Sequence, residues 1–314
     1  MRHNRLRWML PLMGGVAPSQ VVLTCTTTGA ATLTLNRLGA VTGKTIHVDW
    51  GDGTSNDYSD NPSSTRTHAY AGAGTWKVTI SPPEAVVNLD LRDTKLSCAA
   101  GQIGKMTALT SLNLSNLANA TIGAGEIGGL TSLTDLTMAY IPNATIGAGE
   151  IGGLIGLTIL HLDNIPNATI GAGEIGGLTD LTTVYLSNLA NVTVGAGEIG
   201  GLTDLTYLYL INSNNIAAQT GLSNLLKLTW LQYENGLSQA QVDSVLTQLY
   251  SAFPTRTGIN GTIDLLGDSN AAPSGTAPGS AECPPTTGWN KAYELVNDSC
   301  NVSANHWASV TCQT

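Results

Sequence analysis

The sequence predicts a mainly β protein in three parts: an N-terminal β-sandwich, a solenoid with a parallel sheet, and a small α+β closing segment. Three observations predict it. Ile103, Ile127, Ile151, Ile175 and Ile199 each open an Ile-Gly phrase, so a 24-residue unit recurs without a slip. From Val21 to about Ile80, short runs alternate apolar with polar residues and are separated by Gly, Asn and Ser. Finally, 36 glycines and a single Phe accompany 42% hydrophobic and 11% charged residues, so the core must be aliphatic, with Leu, Ile and Val packed between tight turns.

Residues 1–20 have a basic front (Arg2, Arg5, Arg7) and an apolar run interrupted by Pro11, Gly14 and Gly15. That run is about ten residues long, where a membrane-spanning helix needs about twenty. The segment reads as an N-terminal arm or a weak signal-like sequence.

Residues 21–82 form the first domain. Its stretch IHVDWGDGTSNDYSDNPSSTRTHAYAGAGTWKVTI resembles the PKD domain, an immunoglobulin-like β-sandwich, through Val48, Asp49, Trp50, Gly51, Asp52, Gly53, Thr54, His68, Tyr70, Gly74, Trp76 and Val78. Gly51 and Gly53 suit a tight turn at positive φ, Asp52 can accept turn amides, and Trp50 can fill the space between sheets. The resemblance implies scaffold roles for these positions. His47 and His68 beside Asp49 and Asp52 are therefore not read as a metal site or an acid-base pair.

Residues 83–236 form the solenoid. Leu109, Leu112, Leu114 and Leu117 recur as Leu133, Leu136, Met138 and Ile141, then Leu157, Leu160, Leu162 and Ile165, then Leu181, Val184, Leu186 and Leu189. This L-x-x-L-x-L pattern resembles the leucine-rich repeat, in the class with an extended, Gly-rich outer edge. The position where that family carries Asn is apolar here, and the regular Asn comes two residues later, at Asn119, Asn143, Asn167 and Asn191. One unit cannot bury its Leu face alone, but identical units side by side share one core. A degenerate first unit falls at Val86, Leu89 and Leu91, and the last at Leu228, Trp230 and Leu231.

Two polar columns have the same period. Glu126, Glu150, Glu174 and Glu198 read as a solvated edge, the alternative being a row of cation sites for calcium; no other cofactor is implied. The asparagines fall in N-x-T triplets, open to two readings: a buried ladder bonding the turns, which is preferred, or glycan acceptors.

Residues 237–314 close the chain. Ser238 is placed to cap a helix whose apolar face is Val242, Val245, Leu246, Leu249 and Phe253. A strand GTIDLLG, a turn-rich stretch, a short helix near Asn290 to Val296 and a final strand HWASVTC follow, as a cap over the last apolar coil. The phrases DLLGDSNAAPSGT and AYELVND resemble the ends of repeat proteins found in bacterial surface and phage structural proteins. Five cysteines flank the repeats without C-x-x-C spacing, which suggests disulfides, first Cys300 to Cys312 and then Cys25 to Cys98, leaving Cys283 over; five inert thiols are the alternative.

Outward strand positions vary where the core does not. One column reads Ser111, Asp135, Ile159, Thr183, Tyr207 and Trp230, and the next Asn113, Thr137, His161, Tyr185 and Tyr209. Tyr185, Tyr207, Tyr209 and Trp230, with His161 and Asp163 beside them, are the candidate ligand-binding residues of an open concave face, suited to a sugar or protein; shielding of the sheet is the competing reading. His161 and Asp163 lack an accompanying nucleophile motif, so no catalytic residue is assigned. A net charge of -9, with one base (Lys105) against eight acids between Ile103 and Leu222, argues against nucleic acid as partner. The expectation is a non-enzymatic extracellular, virion or cell-surface protein: a fibre or decoration component or a surface-filament subunit, touching other proteins or copies of itself. An adhesin that holds a glycan or host protein is the alternative.

Overall fold

The computed structural model describes residues 19–59, 64–213, 216, 219–252, 262–265, 270–274, 287 and 291, and the backbone of 309–312. The front domain comprises β1 (Val21–Thr27), β2 (Ala31–Leu35), β3 (Arg37–Ala40), β4 (Thr45–Asp49), β5 (Ser55–Ser59), β6 (Arg66–Tyr70) and β7 (Gly74–Ser81). β1 and β4 bury alternate residues, as the sequence pattern requires. Between the antiparallel pairings lie fully buried Trp50 and Tyr70, joined when the Tyr70 hydroxyl donates to the Trp50 carbonyl (2.9 Å). The turn after β4 works as its residues predict. Asp49 accepts from Gly51 N–H (2.8 Å), Asp52 accepts from Thr54 N–H (3.0 Å), and Gly51 sits at φ +83°, where a Cβ would lie 2.7 Å from the Lys77 carbonyl oxygen.

The solenoid follows with β8 (Val86–Asp90), β9 (Leu96–Cys98), β10 (Ser111–Asn113), β11 (Asp135–Ala139), β12 (Thr145–Ile146), β13 (Ile159–Asp163), β14 (Asn167–Ala168), β15 (Thr183–Ser187), β16 (Tyr207–Ile211) and β17 (Trp230–Glu234). β8, β10, β11, β13, β15, β16 and β17 pair in parallel, Leu112 beside Leu136, Leu136 beside Leu160, and so on along the chain. Each inward Leu, Ile, Val or Met of these columns is buried. The opposite wall is hydrogen-bonded between coils as well: β12 pairs with β14, and Ile122, Ile170 and Val194 bridge to Ala144, Val192 and Ile216. Both walls therefore repeat at about 4.8 Å, the β-strand spacing.

The sandwich and the solenoid share sheets. β3 pairs antiparallel with β8, and β9 returns to pair with β1, so the front domain covers the first coil. One consequence corrects the expected Cys25 to Cys98 bridge. Both are free buried thiols: Cys25 stands opposite Leu96 and Cys98 opposite Leu23, a diagonal two positions apart. Burial, reinforced by Glu126, pushes the Cys98 thiol up to about 12. The side chains of Cys283, Cys300 and Cys312 lie outside the described residues.

At the other end, α1 (Gln239–Ala252) buries Val242, Val245, Leu246 and Leu249. The Ser238 hydroxyl is not a cap acceptor; it donates to Gln241 Oε1 (2.9 Å). β18 (Thr262–Leu265) and β19 (Ser309–Cys312) then add to β17 in parallel, so the described part of the closing segment extends the sheet to ten strands. Phe253 and the helix expected near Asn290 to Val296 fall largely outside the described residues.

Candidate functional site

In a strand, alternate side chains face opposite ways, so each inward Leu of the solenoid sheet forces its neighbours outward. That places Tyr185, Tyr209, His161 and Trp230 on the outer face in adjacent strands. Their rings form one row: His161 to Tyr185 at 4.3 Å between centroids, Tyr185 to Tyr209 at 5.1 Å, Tyr209 to Trp230 at 6.2 Å. The first two pairs are tilted by 39° and 41°, the third by 29°. Tyr207, 44% exposed, stands beside Trp230 in the neighbouring column. Packing within the row perturbs its titratable members. Burial lowers the His161 pKa against the opposing pull of Asp163, so the ring is neutral at neutral pH. Burial also raises Tyr209, with Tyr207 and Tyr185 adding to it.

Asp163, placed on the same face by the sequence pattern, serves a different partner. It is only 7% exposed, and its carboxylate accepts from Asn188 Nδ2 of the next coil (3.1 Å). His161 and Asp163 share a strand face without forming an acid-base pair.

The glutamate column is a buried ladder, which overturns the solvated edge. Glu126, Glu150 and Glu174 are 6%, 7% and 9% exposed. Glu150 Oε1 accepts the N–H of Gly147 in its own turn (2.7 Å) and of Gly125 in the preceding coil (2.7 Å), while Oε2 accepts from Ile127 (3.2 Å). Glu126 does the same for Gly123, Gly101 and Ile103, and Glu198 for Gly195 and Gly173. The carboxylates are thus engaged by turn amides through Oε1, while Oε2 of Glu174 and of Glu198 is buried without a hydrogen-bond partner; among the described residues no cluster of three or more His, Cys, Asp or Glu is placed to hold a metal. In the last coil Gln219 Oε1 takes over toward Ile199 N–H (3.4 Å).

The asparagines are corrected in the opposite sense. Asn119, Asn143, Asn167 and Asn191 are exposed. Three of them donate Nδ2–H to a carbonyl of the preceding coil: Asn143 to Ala118, Asn167 to Pro142 and Asn191 to Pro166 (3.0–3.2 Å). They form an external ladder, and because each Nδ2 carries a second hydrogen, this bond does not by itself exclude a sugar.

Two features escaped the sequence reading. Thr158 and Thr182 each donate Oγ1–H to the threonine carbonyl one coil earlier (3.0–3.1 Å), and Thr134 shares its one Oγ1–H between the Thr110 carbonyl (3.0 Å) and the Asp135 carboxylate (2.7 Å), the signal being a Thr directly after every first-column Leu at the 24-residue period. Tyr140 occupies a left-handed position (φ +55°) filled by Asn116, Asn164, Asn188 and Asn212 in the other coils, and is 54% exposed. A lone Tyr in an Asn column was visible, but nothing in the sequence marks the column as left-handed.

A core of stacked Leu columns between a parallel sheet and a Gly-rich turn wall defines a leucine-rich-repeat solenoid. No protein-family model matches the sequence, and no curated protein does. Among solved structures the chain is similar to a leucine-rich-repeat protein of Leptospira interrogans, at 24% identity and a TM-score of 0.42, over 58% of this chain and 43% of that one. It is also similar to an internalin from Listeria monocytogenes, at 16% identity and 0.27, over 58% and 69% of the two chains. A third is the ectodomain of an Arabidopsis receptor kinase solved with a peptide hormone ligand, at 16% and 0.31, over 59% and 40%. The match thus spans less than half of the leptospiral chain.

Proposed function

We propose that this chain is a non-catalytic recognition protein acting outside the cell, at a cell surface or on a virion, and that it takes a macromolecular ligand on the outer face of its parallel sheet. One observation carries the reading: at the variable positions of otherwise near-identical coils, four aromatic rings have accumulated into one continuous row. Amphipathic rings held rigidly in place are the side chains that dominate binding energy at interfaces. The front sandwich is read as a PKD-type spacer that also closes the first coil. Probing glycan and peptide arrays with the purified chain and with Tyr209→Ala tests this. The expected result is a ligand whose binding falls roughly thirtyfold in the variant, the size of a hot-spot loss. Unchanged binding by Tyr209→Ala and Trp230→Ala alike would move the site off this face.

A second reading, a fibre or filament subunit, draws support from the turn wall, where exposed Asn and Thr repeat coil after coil. Polymers in negative-stain images of the purified chain would favour it.

A further inference from the structure

Resting on the recognition face just proposed, we infer that its occupant is an extended, arginine-rich peptide segment. Two observations select that chemistry. The first is how the rings stand. The rings stand 4.3–5.1 Å apart and tilted by 39° and 41°, so each crowds its neighbour's face. A row this close leaves little room for a sugar to lie flat between its members, whereas phenol hydroxyls and π systems suit a polypeptide, which brings donors, acceptors and flat guanidinium groups.

The second is charge. Asp135, Asp163 and Glu234 lie on this face, and each is hydrogen-bonded by a neutral side chain: Asp135 by Thr134 Oγ1 (2.7 Å), Asp163 by Asn188 Nδ2 (3.1 Å), Glu234 by Gln232 Nε2 (2.6 Å). Three acids elsewhere do have cations: Asp90 has Arg92, Asp93 has Lys95, and Asp204 has Lys227. From Met106 to Leu226 the sequence contains no Lys or Arg at all, and His161 is held neutral. Asp135 and Glu234, both partly exposed, thus present carboxylates beside the aromatic row, and the positive charge that complements them comes with the ligand; Asp163, 7% exposed and bonded to Asn188, does not take part.

The dimensions agree. Asp135 on β11 and Glu234 on β17 are four strand steps apart, about 19 Å at 4.8 Å each, and four residues apart along the strand direction, about 13 Å; the diagonal is about 23 Å, which an extended peptide covers in about seven residues. A segment running diagonally across the strands can set one guanidinium at each end and pass over the aromatic row between them.

The test uses the full chain and three fluorescein-labelled decapeptides, alternating Gly with Arg, Glu or Gln, read by anisotropy. Expected is binding of the arginine peptide at least about tenfold tighter than either of the others, weakening as salt is raised. The double variant Asp135→Asn, Glu234→Gln should lose about tenfold of it, whereas Glu84→Gln, an exposed acid between β7 and β8, should leave it unchanged. Equal affinity for the Arg and Gln peptides overturns the inference. So does a loss of the same size in the double variant and in Glu84→Gln, which means diffuse attraction to a chain of charge -9. If a neutral peptide or glycan binds instead and Tyr209→Ala abolishes it, the charge argument fails while the recognition face stands. If no ligand responds to Tyr209→Ala, both fall.

Discussion

The two walls of the solenoid follow opposite rules. On the turn wall, Asn, Gly and Glu return at the same place in coil after coil; on the strand wall only the inward Leu columns repeat, and the outward positions run from Ser111 to Trp230 without a fixed type. Every coil of the turn wall exposes backbone amides to a dry interior, and an unsatisfied buried N–H costs about 1–3 kcal/mol. Glu150 answers at least three of them at once, so that position cannot drift. The strand wall satisfies its amides by strand pairing, which leaves its outward side chains free to change. In this protein repetition marks structural necessity, and departure from repetition marks the surface available for function.

The largest test of that contrast is Glu150→Ala, which removes an acceptor shared by two coils. It should destabilise the chain by about 4 kcal/mol in denaturant titration, as loss of a buried, multiply bonded charge does; a cost no greater than that of Tyr209→Ala would break the comparison. Asp93 sharpens it at the junction of the two domains. Burial pulls its carboxyl upward, but bonds from the Lys95 ammonium and the amides of Lys95 and Thr34 outweigh this and hold it below the usual range. Its stabilisation is therefore present above about pH 4, the unfolded value, and lost as pH falls through the lower folded value. Asp93→Asn should cost about 2 kcal/mol at neutral pH and flatten that acid limb in thermal melts.

Tyr140→Asn tests the contrast in the other direction, since it restores the repeat at a left-handed position that Asn tolerates and Tyr does not. It should raise stability by about 1 kcal/mol, seen as a higher melting midpoint. The smallest expected effect is Tyr209→Ala on stability, within about 1 kcal/mol by the same melt, because its partners on that face are the neighbouring rings Tyr185 and Trp230 and not the Leu core.

Much of the fold was legible because apolar periodicity is a local signal. Leu112, Leu136 and Leu160 were assignable as stacked core columns, and His161, Tyr185, Tyr209 and Trp230 as outward residues, from the alternation of strand side chains alone. The polar columns were misread because spacing shows that a residue recurs without showing which way its turn points. Gly149 at φ +86°, like Gly125 at +88°, sets the local path of the turn, and only that path reveals that the glutamate folds inward onto amides while the asparagine stays outside.

The sequence by itself determined the 24-residue period, the Leu columns, the sandwich with its Asp-Trp-Gly-Asp-Gly turn, and which outward positions were free to vary. Tertiary structure alone decided that both walls bond coil to coil, that β3 and β9 tie the sandwich to the first coil, and that Cys25 and Cys98 pass each other diagonally. It also decided that the glutamates lie within and that the aromatic rings meet in one row. The physical reason is range. Burial patterns are written in neighbours along the chain, whereas a hydrogen bond between residues 25 apart, such as Gly125 N–H to Glu150, exists only after the coils have come together.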